Sequence, residues 1–401
     1  MEKIYLTTTF KLCDNNGYLG TQLSNFFIQN GFEPVERPEH ADAIVISTCG
    51  FDQERENFSI SVVDEYMRKF AKDKKIIICG CLPKINPDLF DRSKVTLIGP
   101  KELYRFNDIF NPAIKIEDIS GSRLNEKFIT REYGFIGTYY LQISQGCQNN
   151  CSYCAIKKAK GQVKSKPVEK VIRDLEEGIK LGFRRVMLLA DDCGSYGIDL
   201  GLNLSDLLNP LKEYDIGILI NYIEPGAFQR LYPQIDAKIL EKIEFVNIPV
   251  QATSRRIINL MSRDYDVDEI MTIAKDIKDR FPHIYLETHV IYGFPGETEK
   301  DFRDTFRLSE CFNGVIYFYY TDRIGTQSSL LPDKVSSSEV IFRTKEIMAH
   351  PRFAFEHGAA EPPLILLGYG MDSSDLFESI KRNCPEQTDS VKSDHASVLC
   401  A

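Results

Sequence analysis

The sequence has no run of about 18 apolar residues, the minimum for a membrane-spanning helix. Its first residues, Met-Glu-Lys-Ile-Tyr, lack the basic segment and apolar core of a secretion signal. These absences give no support to a membrane role and make a cytoplasmic location the expectation. Positive charge is also in deficit. Lys and Arg number 49 against 58 Asp and Glu, a net charge of −9, whereas holding a large nucleic acid rests on clustered basic residues. A surface built as a whole for nucleic acid is disfavoured, although a local basic groove is compatible with the totals. There is no internal repeat and no low-complexity domain.

What is present is ample material for cores and an unusual set of cysteines. The 401 residues are 43% hydrophobic, enough for two or three domains at about 100 to 200 residues each. Eleven cysteines in a chain without a secretion signal point to metal or redox use rather than disulfides. Cys147, Cys151 and Cys154 follow the spacing Cys-x-x-x-Cys-x-x-Cys, close enough for one loop to wrap three thiolates onto a single iron–sulfur cluster. Three ligands leave one iron open to a small molecule. A zinc site needs a fourth ligand, commonly from a further Cys-x-x-Cys or His-x-x-x-His pair, and none follows nearby.

Residues 1 to about 115 alternate apolar runs with amphipathic stretches. Strands are expected over 3–10, 43–48, 75–79 and 95–98, and a helix over 19–30 burying Leu19, Leu23, Phe26 and Phe27. Such alternation gives an open parallel sheet, because parallel neighbours need a crossover between them. Cys13, Cys49 and Cys81 then fall at the carboxyl ends of three strands, the edge where open sheets bind ligands. They read either as ligands of a second cluster or as small buried hydrophobes; Cys79, inside its strand, reads as core. From about Gly137 the pattern continues with strands expected over 139–143, 186–190, 217–222, 245–249, 285–291 and 314–320. Six strands with intervening helices suit a full or partial (β/α) barrel whose site lies at the C-terminal strand ends. The Cys147 loop, Ala190 to Gly197 and Tyr292 to Glu297 all fall on that rim. Pro362 to Leu367 reads as a short strand or a docking patch, and the chain from Asn383 as a flexible tail.

Together these residues resemble the radical S-adenosylmethionine methylthiotransferases over positions 1 to about 345. The motifs are Cys13-Asp14-Asn15-Asn16, Ser47-Thr48-Cys49, Cys79-Gly80-Cys81-Leu82-Pro83, the Cys147/Cys151/Cys154 triplet, Pro249-Val250-Gln251, Tyr292 to Thr298 and Tyr320 to Thr326. The resemblance implies a methylthiotransferase domain over 1–120 with an auxiliary cluster on Cys13, Cys49 and Cys81. It implies a radical barrel over 133–345 with a cluster on Cys147, Cys151 and Cys154, and leaves 346–401 as an atypical, partly flexible extension. Two 4Fe-4S clusters and S-adenosylmethionine would be the cofactors. The first cluster would cleave S-adenosylmethionine to a 5′-deoxyadenosyl radical, and the second would carry the sulfur that becomes a methylthio group.

By the same resemblance Tyr153 would lie against the adenine, Asp192 near the ribose or substrate, and Gln251 and the Gly293 turn against the cofactor. Arg323 would neutralise a carboxylate, and Lys157, Lys158, Lys160, Lys164 and Lys166 would form a solvated basic run. Departures from the family pattern are Lys160 and Lys166 where arginines are expected, His289 where an acid is expected, and residues 349–401, which do not read as the small β-barrel of familiar members. The expected substrate is a protein or peptide side chain, because Asp191-Asp192 and Ser195-Tyr196-Gly197 resemble the ribosomal-protein-modifying branch. The alternatives are tRNA adenosine, a small molecule, or a non-catalytic cluster-binding protein. A flavodoxin- or ferredoxin-like electron donor is the implied redox partner.

Overall fold

The structure, a computed structural model, describes residues 1–130, 137–353, 364–368 and 373–384. Its first sheet contains β1 (Lys3–Thr8), β2 (Glu33–Pro34), β3 (Ala43–Thr48), β4 (Lys75–Gly80) and β5 (Thr96–Ile98), all parallel in the order β2-β1-β3-β4-β5. Every residue of β3 is buried, as a parallel strand covered on both faces requires. The helix Asp14–Gln29 covers one face with Leu23, Phe26 and Phe27, and the helix Gln53–Phe70 covers the other with Val63. The first helix begins five residues earlier than its apolar periodicity indicates. Cys13 is still extended, and Asp14 enters the first turn, where a carboxylate suits the helix dipole. Two-residue β2 escaped the sequence reading, and Cys79 is fully buried as expected. Gly80 turns the chain at the end of β4 with φ +95°; a β-carbon there would strike the Thr48 carbonyl.

The second sheet begins at β6 (Thr138–Gln142). A short antiparallel pair, β7 (Ser144–Gln145) and β8 (Lys164–Ser165), brackets the cysteine loop. The sheet continues through β9 (Arg185–Leu189), β10 (Gly217–Asn221), β11 (Ile243–Asn247), β12 (Tyr285–Tyr292), β13 (Gly314–Tyr319) and β14 (Leu364–Leu367), all parallel in the order β14-β13-β12-β11-β10-β9-β6. β14 and β6 do not pair, so the barrel is partial. Seven strands replace the six read from sequence, because β14 adds to the free edge of β13. The helix Ser373–Asn383 follows, and its Ser379 and Asn383 bond to Glu54 at 2.9 and 3.1 Å. The extension thus joins the barrel edge to the first domain. The tail expected beyond Asn383 falls, from 385 on, outside the described residues.

Polar groups fasten the two sheets with their carboxyl edges facing. Arg323, beyond β13, donates to the Gly50 carbonyl at 3.0 Å and to Gln53 Oε1 at 2.9 Å, and pairs with Glu56; both charged side chains are almost fully buried. Asn221 on β10 donates to Asp14 Oδ2 at 2.8 Å. Leu124 and Ile129, from the segment between the sheets, pack with Tyr18 against Tyr140, Met187, Leu219 and Phe245 inside the barrel. Removing one member of a buried pair strands the other charge. Arg323→Met is therefore expected to lower unfolding free energy in urea by about 3–5 kcal/mol; a loss below about 1 kcal/mol, typical of a surface pair, would contradict the assignment.

Candidate active site

The loop between β7 and β8 is held by its own backbone. Gly146 takes φ +87°, where a β-carbon would strike the Gln162 carbonyl, and its N–H donates to Asp191 Oδ2 at 2.7 Å. The Cys147 N–H reaches the Gly161 carbonyl at 3.2 Å, and Ser152 ties the loop to Leu260 and Met261 through its hydroxyl and N–H at 2.7 and 3.0 Å. These bonds leave the thiols of Cys147, Cys151 and Cys154 directed into a cavity of about 830 Å³. Cys13, Cys49 and Cys81 line the same cavity from the facing sheet edge. None of the six forms a disulfide.

The donor set suits iron–sulfur clusters. Six thiols in two groups of three are soft ligands. Among the described residues no three His, Cys, Asp or Glu side chains converge tightly enough for a single metal ion, whereas a cuboidal cluster takes its ligands at separated corners. Burial pushes the Cys81 and Cys147 thiols up to about 12 and Cys154 to about 11, and raises Cys13 and Cys49 as well. Cluster loading therefore displaces protons from neutral thiols. The Lys160 ammonium opposes this rise at Cys13 and Cys81. It is buried at 3.4 Å from Asp191; burial alone would lower its pKa, but Asp191, Cys81 and Cys13 lift it to about 12. Lys160 is thus turned inward beside Cys13 and Cys81, a correction to the solvated face expected for all five. Lys157 also turns inward, donating to the Cys147 carbonyl.

Asp192 is 4% exposed and both of its carboxylate oxygens are engaged. Oδ1 caps the turn by accepting from the N–H groups of Gly194 and Glu224 at 2.9 and 3.0 Å, while Oδ2 accepts from Ser195 and Asn149 and stands 3.8 Å from Cys147 Sγ. Tyr153 lines the cavity, edge-on to Phe294 with the Arg263 guanidinium 6.0 Å from its ring. Gln251 lines it too, at φ +70° and with Oε1 buried without a partner. Gly293 lies behind the lining, its N–H held by Glu297 Oε2 at 2.6 Å. Arg323 does meet a carboxylate, that of Glu56 in the facing domain. His289 Nε2 lies 2.9 Å from Asn247 Nδ2 and 3.5 Å from Glu287 Oε1. Sequence reasoning missed Asp14, Asn221 and Glu287, all of which line the cavity. The period-two alternation of Glu287, His289 and Ile291 on β12 carried a signal for the last.

Comparison with known proteins agrees with this geometry. Residues 141–309 match the model of the Radical SAM superfamily, and residues 4–98 that of Uncharacterized protein family UPF0004. The "Probable threonylcarbamoyladenosine tRNA methylthiotransferase" of Pyrococcus horikoshii is 31% identical over 318 residues, covering 77% of this chain and 74% of that protein. The "Ribosomal protein uS12 methylthiotransferase RimO" of Thermotoga maritima is 28% identical over 344 residues, covering 81% and 78%. The solved radical S-adenosylmethionine methyltransferase TsrM from Kitasatospora setae shares the fold at TM-score 0.57 and 13% identity, over 95% of this chain and 83% of that one. With the motifs, both sheets and both cysteine sets in agreement, the chain belongs to the radical S-adenosylmethionine methylthiotransferase family.

Proposed function

We propose that this transferase places a methylthio group on an unactivated carbon of a protein or peptide side chain, within the cavity that all six cysteines line. That shared cavity is the observation that carries the reading. The enzyme uses S-adenosylmethionine and two 4Fe-4S clusters, which together supply the radical that removes hydrogen and the sulfur that takes its place. Cys147, Cys151 and Cys154 hold one cluster from the barrel, residues 133–345. Cys13, Cys49 and Cys81 hold the other from the domain spanning residues 1–120. Tyr153, Asp192 and Gln251 orient S-adenosylmethionine beside the first set, and the Gly293 turn supports that rim from behind. Lys160 and Asp191 fix charge between the sets, and the apolar walls Phe245, Phe318 and Ile316 exclude water. A low-potential electron donor of the flavodoxin or ferredoxin class supplies the reducing equivalents. Among the described residues no helix is long and apolar enough to cross a membrane.

A peptide is favoured over a polyanion by charge. Arg55, Lys160, Arg185, Arg263 and Arg323 line the cavity, and each faces a carboxylate of the protein itself. A tRNA adenosine substrate is the second reading, favoured by the 31% identical relative named for tRNA.

Two expected outcomes follow. Cys13→Ala, Cys49→Ala or Cys81→Ala, reconstituted anaerobically, should hold about four irons per chain where the native protein holds about eight. Each should still release 5′-deoxyadenosine while losing methylthio transfer; unchanged iron content would remove the auxiliary role from this triad. Incubation of the holoenzyme with peptide pools and with tRNA should place a methylthio group, read by mass spectrometry, on peptide. Modification of tRNA alone would establish the second reading.

A further inference from the structure

The barrel interior holds two carboxylates that the reaction outlined above does not use. Asn221, Asn247 and Glu287 stand at one level on the adjacent strands β10, β11 and β12. Asp14, from the first turn of the helix after Cys13, reaches this level through its bond to Asn221 Nδ2 at 2.8 Å. Asn247 Nδ2 donates to Glu287 Oε1 at 2.6 Å and contacts His289 Nε2 at 2.9 Å. Asp14 and Glu287 both line the cavity and lie near enough to repel each other.

Neither carboxylate has a lysine or arginine partner among the described residues, although five of the six lysines and arginines lining the same cavity are each matched to another acid and the sixth, Lys157, donates to the Cys147 carbonyl. His289, 3.5 Å from Glu287, supplies at most one charge for the two. Glu287 is 6% exposed, and a buried carboxylate without a cation is costly. Independently, Thr138 Oγ1 lines this cavity with no hydrogen-bond partner, in a residue only 6% exposed. Asn247 Oδ1, beside Glu287 in a residue 1% exposed, also has none. Beside Glu287 the unmatched atom is thus an acceptor, and the complement to two carboxylates and an unmatched acceptor is a group rich in N–H donors.

We propose that Asp14 and Glu287 receive a cationic nitrogen group of the substrate, an ammonium or guanidinium, so that the peptide modified presents a lysine or arginine side chain to the barrel. This rests on the peptide reading above and narrows it. S-adenosylmethionine is itself cationic, but Asp192, 3.8 Å from Cys147 Sγ, stands beside the Cys147 loop to receive it. Asp14 comes from the opposite domain, directly after Cys13. A group bound between Asp14 and Glu287 lies in the cavity that both cysteine sets line.

The test measures binding of two matched probes to the reconstituted holoenzyme by calorimetry: acetyl-Gly-Lys-Gly-amide and its Nε-acetyl-lysine counterpart. The charged peptide is expected to bind about tenfold more tightly, the worth of one charge-assisted hydrogen bond. Glu287→Gln should abolish the preference and Glu287→Asp should restore part of it. Equal binding of the two peptides overturns the proposal, as does a preference that survives Glu287→Gln. So does a Glu287→Gln protein that binds S-adenosylmethionine more weakly with its peptide preference intact. If Glu287→Gln does not fold, the comparison of the two peptides on the native protein decides alone. A methylthio group found on neutral or acidic peptides only would uphold the peptide reading and overturn this one, whereas modification of tRNA alone would end both.

Discussion

The buried guanidinium of Arg323 holds two separately folded sheets in one arrangement. It sits beyond the last long barrel strand, yet its partners, Gly50, Gln53 and Glu56, all belong to the first domain. Gly50 directly follows Cys49, so the same bond that joins the domains fixes one auxiliary thiol relative to the barrel. A buried ion pair adds little net stability once desolvation is counted, but it is intolerant of displacement. Precision of placement, rather than strength, is what two cysteine sets on different domains need. The Asn221–Asp14 bond acts in the same way beside Cys13. The strand and helix at 364–383 add a further tie through Glu54.

Charge inside the cavity follows from this closure. The groove between two sheet edges is dry enough that thiols are driven toward their neutral forms and that each cation needs its own acid. Lys160 illustrates the consequence: it is tolerated because Asp191 meets it, and together they sit where Cys13 and Cys81 feel the ammonium. The cavity is therefore tuned at its walls, while Asp14 and Glu287 remain for an incoming ligand.

Much of this was legible in the chain because parallel strands buried on both faces read as short Ile- and Val-rich runs. Ala43–Thr48 and Lys75–Gly80 needed no tertiary information, and the turn at the end of each located a cysteine. β2 was invisible because two exposed residues, Glu33 and Pro34, carry no periodicity. β14 was ambiguous because four apolar residues serve equally as strand or patch; only the free edge of β13 decides between them. The six cysteines stood out by spacing and by their place at strand ends. Lys160 did not, since nothing local distinguishes it from the lysines beside it. Glu56 and Arg323 are 267 positions apart, and no local signal joins residues at that separation.

Both cysteine sets face one cavity, so that two clusters held there lie within magnetic reach of each other. Electron paramagnetic resonance of the anaerobically reconstituted, dithionite-reduced protein tests this most directly. The expected spectrum is broadened or split by interaction between two reduced clusters and reverts to a simple signal when either triad is replaced by alanine. A native spectrum equal to the sum of the two single-cluster spectra would contradict it.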